Sequence, residues 1–106
     1  LAAQAGCEIE LAAEAIPVAD DVRGAAEILG LDPLYLANEG RCLIVCAADA
    51  AESALACLRA QPLGASAARI GTVGAARAGG RVVLATGFGG RRIVDMPSGE
   101  QVPRIC

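Results

Sequence analysis

Glycine and proline interrupt this chain at short intervals, and the apolar residues between them follow a period of two in some segments and of three to four in others. Such a pattern builds strands and helices into layers. Leu1 to Ala5 read as the last turn of a helix whose beginning is missing, closed by Gly6. Cys7 to Ala12 alternates, with Cys7, Ile9 and Leu11 on one face and Glu8 and Glu10 on the other, a strand with one wet face. After Pro17, Asp20 or Asp21 is placed to cap a helix running to about Leu29. On it Val22, Ala25, Ala26 and Leu29 form one apolar stripe, and Gly30 stops it. Asp32 before Pro33 predicts the cap and first residue of one short helical turn. The unbroken run Cys42-Leu43-Ile44-Val45-Cys46 suits a central strand. Asp49, with Glu52 three residues on, opens a second helix through Ala60 whose stripe is Ala51, Ala54, Leu55 and Leu58; Pro62 and Gly64 end it.

The last 40 residues change character. Ala68 to Ala75, Arg81 to Thr86 and Arg91 to Met96 are strand candidates, and Gly79-Gly80 and Gly87-Phe88-Gly89-Gly90 read as hairpin connections between them. The order is strand, helix, strand, helix, then a three-strand meander. That predicts an α/β (α+β) two-layer sandwich, a mixed sheet covered by helices, over residues 1–97. Residues 98–106 read as a flexible polar C-terminal tail ending in Cys106.

Composition narrows the chemistry. The 106 residues fit one domain, and 55% hydrophobic content with 20% charged rules out intrinsic disorder. Nine bases stand against twelve acids, net −3, with no basic cluster, which argues against a nucleic-acid partner. The longest apolar run, Cys42 to Ala48, is far short of the ~20 residues of a membrane span, so no membrane association is expected. There is no His, and every base is Arg, so Ser-His or Cys-His nucleophile pairs and a P-loop lysine are excluded. Five cysteines at irregular spacings read as unpaired thiols in a reducing cytoplasm. The chain opens at Leu1 without Met or a signal-peptide pattern, which predicts a piece of a longer protein.

Four features invite a chemical reading. Cys42 and Cys46, four apart on the expected strand, point to one face; a metal site would need two more ligands, so buried core is the better reading and no metal is expected. The glycines at 87–90 lie between two strands, unlike a phosphate loop, which lies between a strand and a helix. Asn38-Glu39-Gly40 reads as a turn, yet a carboxylate at the entrance to a central strand is also a common place for a general base. The terminal Pro103-Arg104-Ile105-Cys106 is either a frayed end or an exposed carrier thiol on a mobile arm.

Two of these segments carry a family resemblance. Leu31-Asp32-Pro33-Leu34-Tyr35-Leu36-Ala37-Asn38-Glu39-Gly40 and the terminal Pro103-Arg104-Ile105-Cys106 closely resemble the HypE family of hydrogenase-maturation carbamoyl dehydratases. Ile16-Pro17-Val18, Glu27-Ile28-Leu29-Gly30 and Asp95-Met96-Pro97 fit the same pattern in the same order, so the resemblance covers essentially the whole chain. The first motif is shared in looser form with aminoimidazole-ribonucleotide synthetase relatives, and it implies their C-terminal-domain (AIRS) fold.

The resemblance implies that a carbamoyltransferase, HypF, loads a carbamoyl group onto the thiol of Cys106. ATP, with Mg, then phosphorylates the carbamoyl oxygen, and loss of phosphate leaves a thiocyanate. Its cyano group passes to the iron of a nickel-iron hydrogenase precursor on a HypC–HypD scaffold. Glu39 is the candidate base for the nitrogen protons, Asn38 its orienting partner, and Arg104 the group that guides the tail or meets phosphate. In this family the ATP-binding, dimer-forming half precedes the region that opens at Leu1. The resemblance therefore implies that these residues alone bind no ATP productively, and the uncovered apolar surface predicts a homodimer or oligomer. The alternatives are a non-catalytic interaction module of the same superfamily, or a domain of another synthetase in which Cys106 is incidental.

Overall fold

The structure is a computed structural model that describes residues 1–95. It divides into two compact units, one of residues 1–17 and 47–95, the other built on Val18–Cys46.

The first unit is a four-stranded mixed sheet. Helix α1 (Ala2–Ala5) ends at Gly6 and leads directly into β1 (Cys7–Ala12). β2 (Gly71–Ala76), β3 (Arg81–Ala85) and β4 (Arg91–Ile93) complete the sheet in the order β2-β1-β3-β4. β1 runs antiparallel to β2 and parallel to β3, and β3 runs antiparallel to β4. The fold class is the expected one, an α+β mixed sheet, but the order of its strands corrects the expected meander. β1 lies between β2 and β3, so Gly79-Gly80 is not a hairpin. Instead Arg77 to Gly80 carry the chain across the entrance of β1. The Arg77 N–H donates to the Gly6 carbonyl at 2.7 Å, and the Gly80 N–H donates to the Arg77 carbonyl at 2.9 Å. Glycine is required at position 80, because a Cβ there would lie 2.1 Å from the Ala2 carbonyl oxygen and φ is +53°. Two consecutive positive-φ glycines serve a tight hairpin and a crossing turn equally well, so local sequence does not distinguish them. The expected hairpin at Gly87–Gly90 is present between β3 and β4.

The parallel register Glu8↔Arg81 and Glu10↔Val83 puts the acidic side of β1 on the same face as Arg81 and Val83. Val83 and its neighbour Leu84, on opposite faces, are 4% and 5% exposed and form the centre of the unit. Helix α3, following α2 below, covers Ala51–Arg59, and its half-buried residues include the stripe Ala51, Ala54, Leu55 and Leu58 expected from periodicity. Asp49 does not cap it: a 3₁₀ turn at Ala48–Ala50 precedes the helix, and the Ser53 hydroxyl donates to the Ala50 carbonyl at 3.0 Å.

In the second unit, α2 (Asp20–Leu29) has the expected length and ends at Gly30 in the left-handed conformation, φ 66°. Its N-cap is Ala19; Asp21 accepts instead from the N–H of its neighbour Val22. Of the stripe, only Ala26 is buried. Asp32 caps the 3₁₀ turn Pro33–Tyr35 as expected, its carboxylate accepting the Leu34 N–H at 3.0 Å. The expected central strand at Cys42–Cys46 does not form. Leu43, Ile44 and Val45 are 53–62% exposed, and Cys42 and Cys46 are exposed free thiols, not core residues. Strand propensity is realised only where a ladder partner exists, and none of the four described strands pairs with this run.

Candidate functional site

Asn38 and Glu39 follow the Asp32-capped turn and stand exposed on the loop that bends at Gly40. Asp32 and Pro33 set the entry to this loop, with the Asp32 carboxylate accepting the Leu34 N–H. Arg104 and Cys106 lie outside the described residues. The structure thus keeps Asn38 and Glu39 side by side through sequence adjacency, and it describes no assembly of the four expected site residues.

A second polar constellation sits on the sheet. Arg81 Nε donates to Glu8 Oε2 at 2.5 Å, and Arg91 Nη2 to Glu10 Oε2 at 2.5 Å. Arg77 and Arg91 each approach Glu8 at 3.8 Å. The hydrogen bond from Arg81 holds the Glu8 carboxyl below its usual 4.5, with the charges of Arg81, Arg77 and Arg91 adding to it against partial desolvation. Glu8, Glu10 and Arg81 share a face of the sheet with Val83, which is buried. Periodicity signalled the wet face of β1. Its arginine partners escaped the sequence reading, because the pairing of β1 with β3 spans more than seventy residues. Beside this face a shallow pocket of about 260 Å³ is lined by Glu10, Ala12, Arg69, Gly71, Thr72 and Ala85.

The turn at Gly87–Gly90 is tied down from the end of β1. The Gly87 N–H donates to the carboxylate of Glu14, which lies in the 3₁₀ turn Ala13–Ala15. That bond, with a further one from its own backbone N–H, lowers the Glu14 pKa against partial desolvation.

The sequence profile of the family described as AIR synthase related protein, C-terminal domain, matches residues 1–84, well over half of the chain. The chain belongs to that family. Within the AIR synthase C-terminal domains its likeness is to HypE. It is 53% identical to the carbamoyl dehydratase HypE of Azotobacter vinelandii and 51% to that of Rhodobacter capsulatus, over 106 residues that are 100% of this chain and 31% of each relative. The chain therefore spans about a third of the length of these relatives. A crystal structure of hydrogenase maturation protein HypE superposes with a TM-score of 0.85 at 48% identity, covering 98% of this chain and 34% of that one. HypE in complex with ATP gives 0.82 at 44% identity, covering 93% and 31%. A HypE-HypF complex gives 0.78 at 38%, covering 87% and 29%.

An AIR synthase C-terminal domain of this branch invites the question of whether its own residues suit a magnesium-bound nucleotide. Neither the glycine-rich turn nor the pocket beside β1 does. At the glycine-rich turn the Gly87 N–H already meets the Glu14 carboxylate, whose charge repels phosphate. The pocket beside β1 is smaller than the ~300–1,000 Å³ typical of ligand sites. Among the described residues no three Cys, Asp or Glu side chains converge to hold a cation.

Proposed function

We propose that this chain is the carrier part of a hydrogenase-maturation carbamoyl dehydratase, with Cys106 as the carrier. What supports this above all is the likeness to HypE along all 106 residues, through the terminal Pro103-Arg104-Ile105-Cys106. The Cys106 sulfur, as thiolate, attacks the carbonyl carbon of an activated carbamoyl group, a C–S bond forms, and the activating group leaves. Cys106 then carries an S-carbamoyl group. The HypE-HypF complex supports HypF, the carbamoyltransferase, as the donor for this chain. In a protein of the relatives' full length, dehydration to S-cyano follows, and the cyano group goes to hydrogenase iron on HypC–HypD. Glu39 serves as the base that removes the nitrogen protons, Asn38 orients it, and Arg104 steers the tail. The ATP-dependent activation is assigned to the part of the full-length relatives that this chain does not span. Action in the cytoplasm is part of the same proposal. No helix of the described residues is long and apolar enough to cross a membrane.

The test is intact mass after incubation with the carbamoyltransferase, carbamoyl phosphate and ATP, run beside Cys106→Ala. A carbamoyl-sized gain that vanishes in the variant is the expected outcome. Equal gain in the variant would place the carrier elsewhere. A second reading, a non-catalytic interaction module, draws on the poor fit of the glycine-rich turn and the pocket beside β1 to a nucleotide; it predicts binding to the partner without any mass gain.

A further inference from the structure

We infer that the β3–β4 turn and the strand that follows it are the docking surface for the enzyme that carbamoylates Cys106, with Phe88 as its anchor. The inference rests on the carrier reading above. Phe88 is the single phenylalanine of the chain and is 103% exposed at the tip of the turn. A ring held wholly in water contributes nothing to the sheet's core, so its value lies in what it meets.

The turn that presents it is fixed at several points. The Thr86 N–H donates to the Gly90 carbonyl at 2.8 Å, the Gly89 N–H to the Thr86 carbonyl at 3.0 Å, and the Gly90 N–H to Thr86 Oγ1 at 3.1 Å. The Glu14 carboxylate holds Gly87 from the 3₁₀ turn that follows β1. An aromatic side chain on a pre-ordered turn loses little freedom on binding, which is the property of an interface anchor. Arg91 and Ile93 follow at alternate positions of β4, half exposed, and add a guanidinium and an apolar side chain of the kinds that carry interface energy.

The occupant follows from where the chain goes next. From Asp95 to Cys106 is eleven residues, which reach no farther than about 40 Å when extended. An enzyme that takes the Cys106 thiol into its active site must grip the domain within that reach. The three-residue strand β4 spans roughly 10 Å, so the Phe88 turn stands close to the root of the tail. The partner surface this predicts is an apolar socket beside the entrance that receives the tail.

Two measurements on the 106-residue chain test the proposal. In steady-state carbamoylation followed by intact mass, Phe88→Ala should raise KM at least tenfold with kcat unchanged. Phe88→Leu should recover part of the loss, and Leu63→Ala, an equally exposed apolar residue elsewhere, should match the parent. A KM for Phe88→Ala within twofold of the parent overturns the proposal. Calorimetric binding of the carbamoyltransferase to Cys106→Ala, with and without Phe88→Ala, separates docking from chemistry. Phe88-dependent binding without loading of the parent chain would leave the docking surface standing and remove the carrier reading. Binding that is absent, or unchanged by Phe88→Ala, removes the docking surface.

Discussion

Glu8 and Glu14 show how single carboxylates hold this small sheet together. Glu8 ties β1 to β3 through Arg81, and Glu14 ties the end of β1 to the β3–β4 turn through the Gly87 N–H. Both carboxyls titrate below the usual 4.5, Glu8 through the hydrogen bond from Arg81 and Glu14 through the bond from Gly87. A carboxylate lowered on folding contributes stability that is fully present above its unfolded pKa and is lost as pH falls through the folded one. The melting temperature should therefore be flat from about pH 7 to 5 and fall below about 4.5. Glu8→Gln should flatten the acid limb and lower the neutral plateau, which a thermal melt at stepped pH reads directly. A limb of the same depth in Glu8→Gln with Glu14→Gln would show that other acids control it.

At the scale of elements, two apolar runs of similar composition have opposite fates. Arg81–Ala85 lies inside the sheet with Leu84 buried, while Cys42–Cys46 lies on the surface. Leu84→Ala should cost about 2–4 kcal/mol, from lost transfer energy and the cavity left behind. Ile44→Thr should change stability by no more than about 0.5 kcal/mol, since Ile44 is 53% exposed and lies outside the sheet. Urea denaturation of the two variants checks both, and a large loss in Ile44→Thr would mean that the run is packed in solution. The stripe of helix α3, Ala51, Ala54, Leu55 and Leu58, was legible because it is a property of the helix alone, whereas its start was not, since Asp49 lies in the preceding 3₁₀ turn. The fate of Cys42–Cys46 was not, because a strand needs a neighbour and the neighbour is not written in the run.

For the molecule as a whole, the carrier role proposed above makes carrying and converting separable tasks. The chain spans about a third of each HypE relative, and neither its glycine-rich turn nor the pocket beside β1 suits a nucleotide. Supplied with carbamoyltransferase, carbamoyl phosphate and ATP, it should stop at the carbamoylated mass. Further loss of the elements of water, followed by the same intact-mass measurement, would show that the dehydration chemistry resides in these residues after all. The sequence by itself determined the local elements, with β1, α2, α3 and the Asp32-capped turn at or near their expected bounds, and it determined the resemblance carried by the Asn38-Glu39 loop and the terminal cysteine. Capping, periodicity and motif identity are read from neighbours along the chain. Only the tertiary structure decided that β1 enters between β2 and β3, that Gly79-Gly80 crosses instead of folding back, and that Glu8 and Glu10 meet Arg81 and Arg91. Those outcomes depend on which strand pairs with which, and hydrogen-bonding edges are alike until the whole sheet selects among them.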